Sequence, residues 1–216
     1  MQIEIWSDVV CPWCAIGKRR LEGALARFAH ADDVEVVWRS YELDPSAPAT
    51  IDVDLIERLA SKYGVSRDEA EAMNARVSGI AAEEGLAFRL DIAKPGNTFD
   101  AHRLLHLAAA HGLQGPVGER LLAGYQAEGQ PIADHDALTR LAVEGGLDEA
   151  EVRIVLASDR YADAVRADED EARELGVRGV PFFVFDRRYA VSGAQPSDVL
   201  LEVLEQAWQE RAPSTT

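Results

Sequence analysis

Met1-Gln2-Ile3-Glu4-Ile5-Trp6 runs through the connection Ser7-Asp8-Val9-Val10 into Cys11-Pro12-Trp13-Cys14. The first six residues alternate polar and apolar side chains, the period of a β-strand. Beyond Cys14, apolar residues recur at Ile16, Leu21, Ala24, Leu25 and Phe28 with helical spacing. Pro12 suits the first turn of that helix, where its missing N–H leaves no bond unmade. Cys11 therefore falls at, or just before, a helix N-terminus. Unpaired N–H groups and the helix dipole favour negative charge there, so they favour thiolate over thiol. Cys14, about one turn further in, is placed to attack a mixed disulfide formed at Cys11. That is the order of events thiol–disulfide exchange requires.

These are the only 2 cysteines in the 216 residues, so the pair must be explained on its own. As a staple it achieves little: a loop this short contributes about 2 kcal/mol at best in the loop-entropy model. A reducing cytosol also breaks such bonds. A zinc site asks for four ligands. His102 and His106, at i and i+4 on one side of an expected helix, offer the missing two. They follow the cysteines at a distance far beyond the spacing of small zinc modules. No metal is expected.

Outward from this stretch, Val34-Glu35-Val36-Val37-Trp38-Arg39 reads as a second strand, and Leu43-Asp44-Pro45-Ser46-Ala47-Pro48 as a linker that breaks it. From Asp52 to Leu156 there is little strand signal. Helices are expected over 52–63, 66–84, 100–111, 117–128, 134–145 and 148–156. Ser66 before Glu69 and Asp148 before Glu151 read as caps, and Gly64, Gly112 and Gly145 as stops. A helix over 160–175 follows, with Asp168-Glu169-Asp170-Glu171 on its solvated face. Strand signals return at 182–185 and 189–192, joined by the turn Asp186-Arg187-Arg188. A last helix spans 197–211, and Ala212–Thr216 are expected to fray. The class is α/β. Residues 1–50 and 157–216 make one discontinuous sheet-and-helix domain, interrupted by an all-helical insertion over 51–156.

Hydrophobic residues at 47% and charged residues at 28% match ordinary globular composition, which excludes a disordered chain. The net charge of −16 repels phosphate, so nucleic acids and anionic membranes are disfavoured as partners. No apolar run approaches the roughly 18 residues of a membrane span. Met1 leads straight into a strand, without a basic flank or long apolar stretch, so no signal peptide is expected and the cytoplasm is the expected compartment.

Cys11-Pro12-Trp13-Cys14 after a first strand, together with Gly179-Val180-Pro181-Phe182-Phe183-Val184 near the end, resembles the DsbA family of thioredoxin-fold proteins. Thr98-Phe99-Asp100-Ala101-His102-Arg103-Leu104 and Val191-Ser192-Gly193-Ala194-Gln195 are similar to the cytoplasmic FrnE-like branch. The resemblance spans nearly the whole chain. It implies a thioredoxin fold, a mixed central sheet flanked by helices, with a helical insertion. It implies Cys11 as nucleophile, Cys14 as resolving thiol, and Pro181 as a cis-proline opposite them. The backbone of Val180 would pair with an extended substrate segment. Trp13, beside Pro12, would tune the pair and offer an apolar contact.

The function so implied is dithiol–disulfide exchange on protein or small-molecule disulfides, by a monomer or homodimer. Its redox group is the Cys11–Cys14 disulfide itself, with a low-molecular-weight thiol as a co-substrate. Two rivals stand beside it. One is a glutathione- or low-molecular-weight-thiol-dependent transferase or isomerase on the same fold; relatives of that kind usually carry serine at the nucleophile position. The other is a chaperone-like binding module. Asn97 and His102 are candidates to line the cleft, against simpler roles as a turn or cap residue and a hydrogen-bonded packing residue. Some FrnE-like proteins carry a second cysteine pair; the cysteine count here excludes such a relay.

Overall fold

The computed structural model describes residues 1–49 and 53–211. Its four strands are β1 (Gln2–Ser7), β2 (Glu35–Ser40), β3 (Phe182–Phe185) and β4 (Tyr189–Ser192). They form one mixed sheet in the order β2-β1-β3-β4. β1 and β2 run parallel, with Ile5 opposite Trp38. β3 runs antiparallel to β1, with Phe183 opposite Ile5, and β3 and β4 form a hairpin. Its turn carries Asp186 (φ 46°) and Arg187 (φ 57°) in the left-handed region, the backbone that a tight hairpin of this hand demands.

Helix α1 (Pro12–Leu25) follows β1 directly. Next come α2 (Leu55–Tyr63), α3 (Arg67–Glu83), α4 (Phe99–Ala110), α5 (Gln114–Gln126), α6 (His135–Glu144), α7 (Glu149–Leu156) and α8 (Ala162–Glu174). α9 (Ser197–Gln209) follows the hairpin. The fold is thioredoxin-like, as expected. Two expectations, a helix start at Asp52 and fraying of Ala212–Thr216, lie outside the described residues.

β1 is central, and its alternation serves two layers. Ile3 and Ile5 face Leu21, Ala24, Phe28, Phe183, Leu200 and Leu204, the core between the sheet and helices α1 and α9. Trp6 faces the other way, onto Ala172, Val177 and Val184. Glu4 shares that second face and is buried; Arg39 and Arg187 bind its carboxylate. A buried charge persists only where it is paired. A third core, of Leu104, Leu107, Leu121, Leu138, Leu141, Val152 and Val155, holds α4–α7 together and takes in Val9 from the loop after β1. Gln114 at the start of α5 covers the free edge of β2: its amide accepts from Trp38 N–H at 3.0 Å and donates to Trp38 C=O at 2.9 Å, as another strand would.

The expected caps form. Ser66 and Glu69 make a reciprocal capping box on α3, and Asp148 accepts from Glu151 N–H at the start of α7. Gly145 stops α6 as expected, with φ −77°, and the next residue, Gly146 (φ 107°), takes the left-handed turn. Gly145 is also needed for space: a Cβ there would meet Val117 at 2.8 Å. The acidic run on α8 departs from expectation. Asp168 is buried rather than solvated. Its carboxylate accepts from Arg39 at 3.1 Å and from Ser40 N–H at 2.8 Å, and it lies 3.1 Å from His106. Its main-chain carbonyl accepts from the indole of Trp6 at 2.8 Å.

Candidate active site

β1 ends at Ser7, and the chain turns once before α1. The Cys11 N–H bonds back to the Asp8 carbonyl at 3.1 Å, and the Cys14 N–H to the Cys11 carbonyl at 3.1 Å. Cys11 is the N-cap of α1, with extended backbone (φ −86°, ψ 114°), and Pro12 fills the first helical turn. Both cysteines are free thiols. The Cys11 thiol faces the Val180 carbonyl, with Sγ 3.6 Å from the oxygen. The Val180–Pro181 bond is cis.

Cys11 opens into a cleft of about 320 Å³ between the CxxC loop and the hairpin of α2 and α3. Pro12, Trp13, Gly179 and Val180 line it on the cysteine side; Leu55, Leu59, Met73 and Val77 line it across from them. Arg58 and Lys62 add cations, and Arg58 is paired with Asp44 at 2.5 Å. Trp13 is 38% exposed although it is a large aromatic, so its ring is available to whatever enters. Cys14 is not part of the lining and has no exposed surface. Burial pushes its thiol well above the ordinary value, the neighbouring Cys11 adds to this, and Ser7 and the Asp8 backbone offset it only in part. One sulfur faces the cleft and the other is sealed behind it.

Pro181 stands behind the lining, against α1. A Cβ on Gly17 would meet the Pro181 ring at 2.9 Å and Phe183 at 3.2 Å. Glycine at 17 is what lets the helix and the proline loop approach so closely. Gly17→Ala is expected to cost about 1–3 kcal/mol through overpacking and to displace the proline from the cysteines. Denaturant unfolding checks the first and the rate of Cys11 alkylation the second; wild-type values for both would show that the ring has room to yield.

Asn97 and His102 do not line the cleft; Pro95, Gly96 and Thr98 do. Asn97 is a turn residue at the start of α4. Its side chain accepts from Phe99 N–H at 2.9 Å and donates to buried Glu42 at 3.1 Å. Burial raises the Glu42 carboxyl, and its pairing with Arg166 only partly opposes that. His102 packs inside, and the hydrogen bond expected of it is not made: Nε2 lies 3.5 Å from Asp8, and neither ring nitrogen has a hydrogen-bonding partner. The helical spacing of His102 and His106 does put both on an inward face, but they serve different carboxylates, Asp8 and Asp168. Among the described residues no three His, Cys, Asp or Glu side chains gather as a metal site would require.

The sequence reading passed over three residues here. Asp8 accepts from Leu43 N–H at 2.8 Å and ties the CxxC loop to the segment after β2; an acid directly before the apolar pair Val9-Val10 was its signal. Tyr125, buried but part of the cleft lining, has its hydroxyl pushed up by burial and by the charge of Asp8. Gln126 donates to the Cys11 carbonyl across a sequence separation of 115, which no local pattern announces.

The solved structures that resemble this chain include the probable DsbA oxidoreductase SCO1869 of Streptomyces coelicolor. That structure is 49% identical, covers 100% of this chain and 93% of its own, and superposes with a TM-score of 0.95. The cytosolic disulfide reductase DsbM of Pseudomonas aeruginosa, solved with GSH, shares the fold at 18% identity, with 97% and 100% coverage and a TM-score of 0.68. The uncharacterized protein YwbO of Bacillus subtilis is 28% identical over 201 residues, 92% of this chain and 93% of YwbO. The DSBA-like thioredoxin domain model matches residues 2–205, and the chain belongs to that family.

Proposed function

We propose that this protein is a thiol–disulfide oxidoreductase of the cytoplasmic FrnE-like branch, working through Cys11 and Cys14. The observation that carries the reading is the unequal setting of the two sulfurs: Cys11 lines the cleft and Cys14 lies fully covered one turn behind it. The Cys11 thiolate attacks one sulfur of a substrate disulfide. The S–S bond breaks, the first substrate thiolate leaves, and the other half remains on Cys11. Cys14 then loses its proton and attacks the Cys11 sulfur; the second substrate thiolate leaves and the Cys11–Cys14 disulfide forms. Reversal of both steps oxidises a dithiol substrate. The start of α1 favours negative charge at its cap, and the Val180 backbone beside the thiol offers an edge to an extended substrate.

Cys14→Ser is expected to stop the sequence after its first step. Incubated with a disulfide substrate, this variant accumulates an adduct at Cys11, identified by mass spectrometry. Absence of the adduct, with a wild type inactive in insulin reduction, would sink the reading.

A second feature narrows the partner. The cleft is small and partly walled, within the size range of small-molecule sites; Lys62 brings a positive charge to its lining, while Arg58 is paired with Asp44 and Asp8 lies on the cysteine side. This favours a low-molecular-weight thiol that carries carboxylates as the co-substrate that renews the dithiol.

A further inference from the structure

Gln126 is the last residue of α5 and is 1% exposed. Its Nε2 donates to the Cys11 carbonyl at 3.1 Å and lies 3.4 Å from the Val9 carbonyl. Its Oε1 is buried and has no partner. The reverse placement of the amide would set its oxygen against two carbonyl oxygens, so the chemistry of the site selects this orientation. The carbonyl it holds is the one that accepts from the Cys14 N–H, the first hydrogen bond of α1. The nitrogen of that peptide unit is Pro12's and has no N–H, so the donor acts on the oxygen alone: it offsets the carbonyl's partial negative charge beside Cys11 and fixes the peptide unit on which the Cys11 side chain is mounted.

We infer that Gln126 is a positioning residue for thiol–disulfide exchange: from the helical block, it orients the helix start that carries Cys11 and offsets the negative end of the Cys11 carbonyl beside the thiol. The inference rests on Cys11 being the attacking thiol. It assigns the α4–α7 block a part in the chemistry through one side chain that does not touch the substrate.

Gln126→Met tests it. Methionine keeps the length, removes both donors and also removes the orphaned oxygen, so little folding penalty is introduced. Cys11 alkylation by iodoacetamide at fixed neutral pH is expected to slow threefold or more. The equilibrium of the Cys11–Cys14 couple with a dithiol buffer is expected to move at least threefold toward the disulfide, about 14 mV more reducing. A residue that only ties α5 to the loop would lower the melting temperatures of oxidised and reduced protein equally and leave the couple where it was; that result overturns the inference. Gln126→Glu is the second variant. It sets a carboxylate against two carbonyls and is expected to slow alkylation more than methionine does, with the deficit against wild type shrinking as acid protonates the new group. Wild-type alkylation in either folded variant overturns the inference. Failure of the wild type to form any Cys11–Cys14 couple would instead overturn the functional reading beneath it.

Discussion

Replacement of Cys11 with serine is expected to lower the rate of disulfide exchange by at least about a thousandfold, because a serine hydroxyl carries almost no anion at neutral pH and cannot form a disulfide. The asymmetry with Cys14 is the informative part. Cys14 has no exposed surface, and burial raises its thiol well above the ordinary range. It cannot take over the first attack. The Cys11→Ser protein should therefore form no mixed disulfide at all, whereas Cys14→Ser should form one and keep it. Rapid-quench trapping on both variants reads this directly. An adduct on Cys14 in the Cys11→Ser protein would reverse the assignment of the two sulfurs.

Asp168→Ala is expected to destabilise the fold by about 3–5 kcal/mol, the usual cost of removing one partner from a buried ion pair. The change leaves the Ser40 N–H without its acceptor, takes the carboxylate from His106, which keeps only the Ser40 hydroxyl, and takes one of two acidic partners from Arg39. The loss should carry a pH signature. Burial by itself would raise the Asp168 carboxyl, but His106, the Ser40 N–H and Arg39 outweigh it and hold the group below the ordinary value of 3.8. A carboxylate depressed in the folded state contributes stability that is complete above its unfolded value and is lost as pH falls through the lower folded one. The stability gap between wild type and Asp168→Asn should thus be full near neutrality and close in acid below the ordinary aspartate range. Urea unfolding across that window measures it, and a gap that does not change with pH would remove the ionic account.

Asp168 also shows where reading along the chain stops. Four consecutive acids on one helix look solvated because local sequence contains no information about which side of the helix a sheet will cover. The position of Asp168 became legible only with Arg39 and Ser40 of β2 alongside it. Gly145 is a similar case. Its place after a helix rightly marked the stop, but the close approach that demands glycine there comes from Val117, on another helix. His102 was a candidate for the cleft, with hydrogen-bonded packing as the alternative; it lies inside, 3.5 Å from Asp8, and makes no hydrogen bond. Such distances depend on how α4 seats against the loop after β1.

The one-dimensional pattern was enough for whatever a helix or strand expresses through its own period: the alternation of β1, the apolar spacing of α1, Pro12 at its first turn, and therefore the placing of Cys11 on a helix N-terminus. These are short-range consequences of backbone geometry, and each is written within a few residues. Packing alone settled which sulfur faces a cleft, that Gly17 makes room for Pro181, and that Gln126 reaches Cys11 across 115 positions. A contact between distant segments depends on the summed fit of every side chain between them, and no local stretch contains that sum.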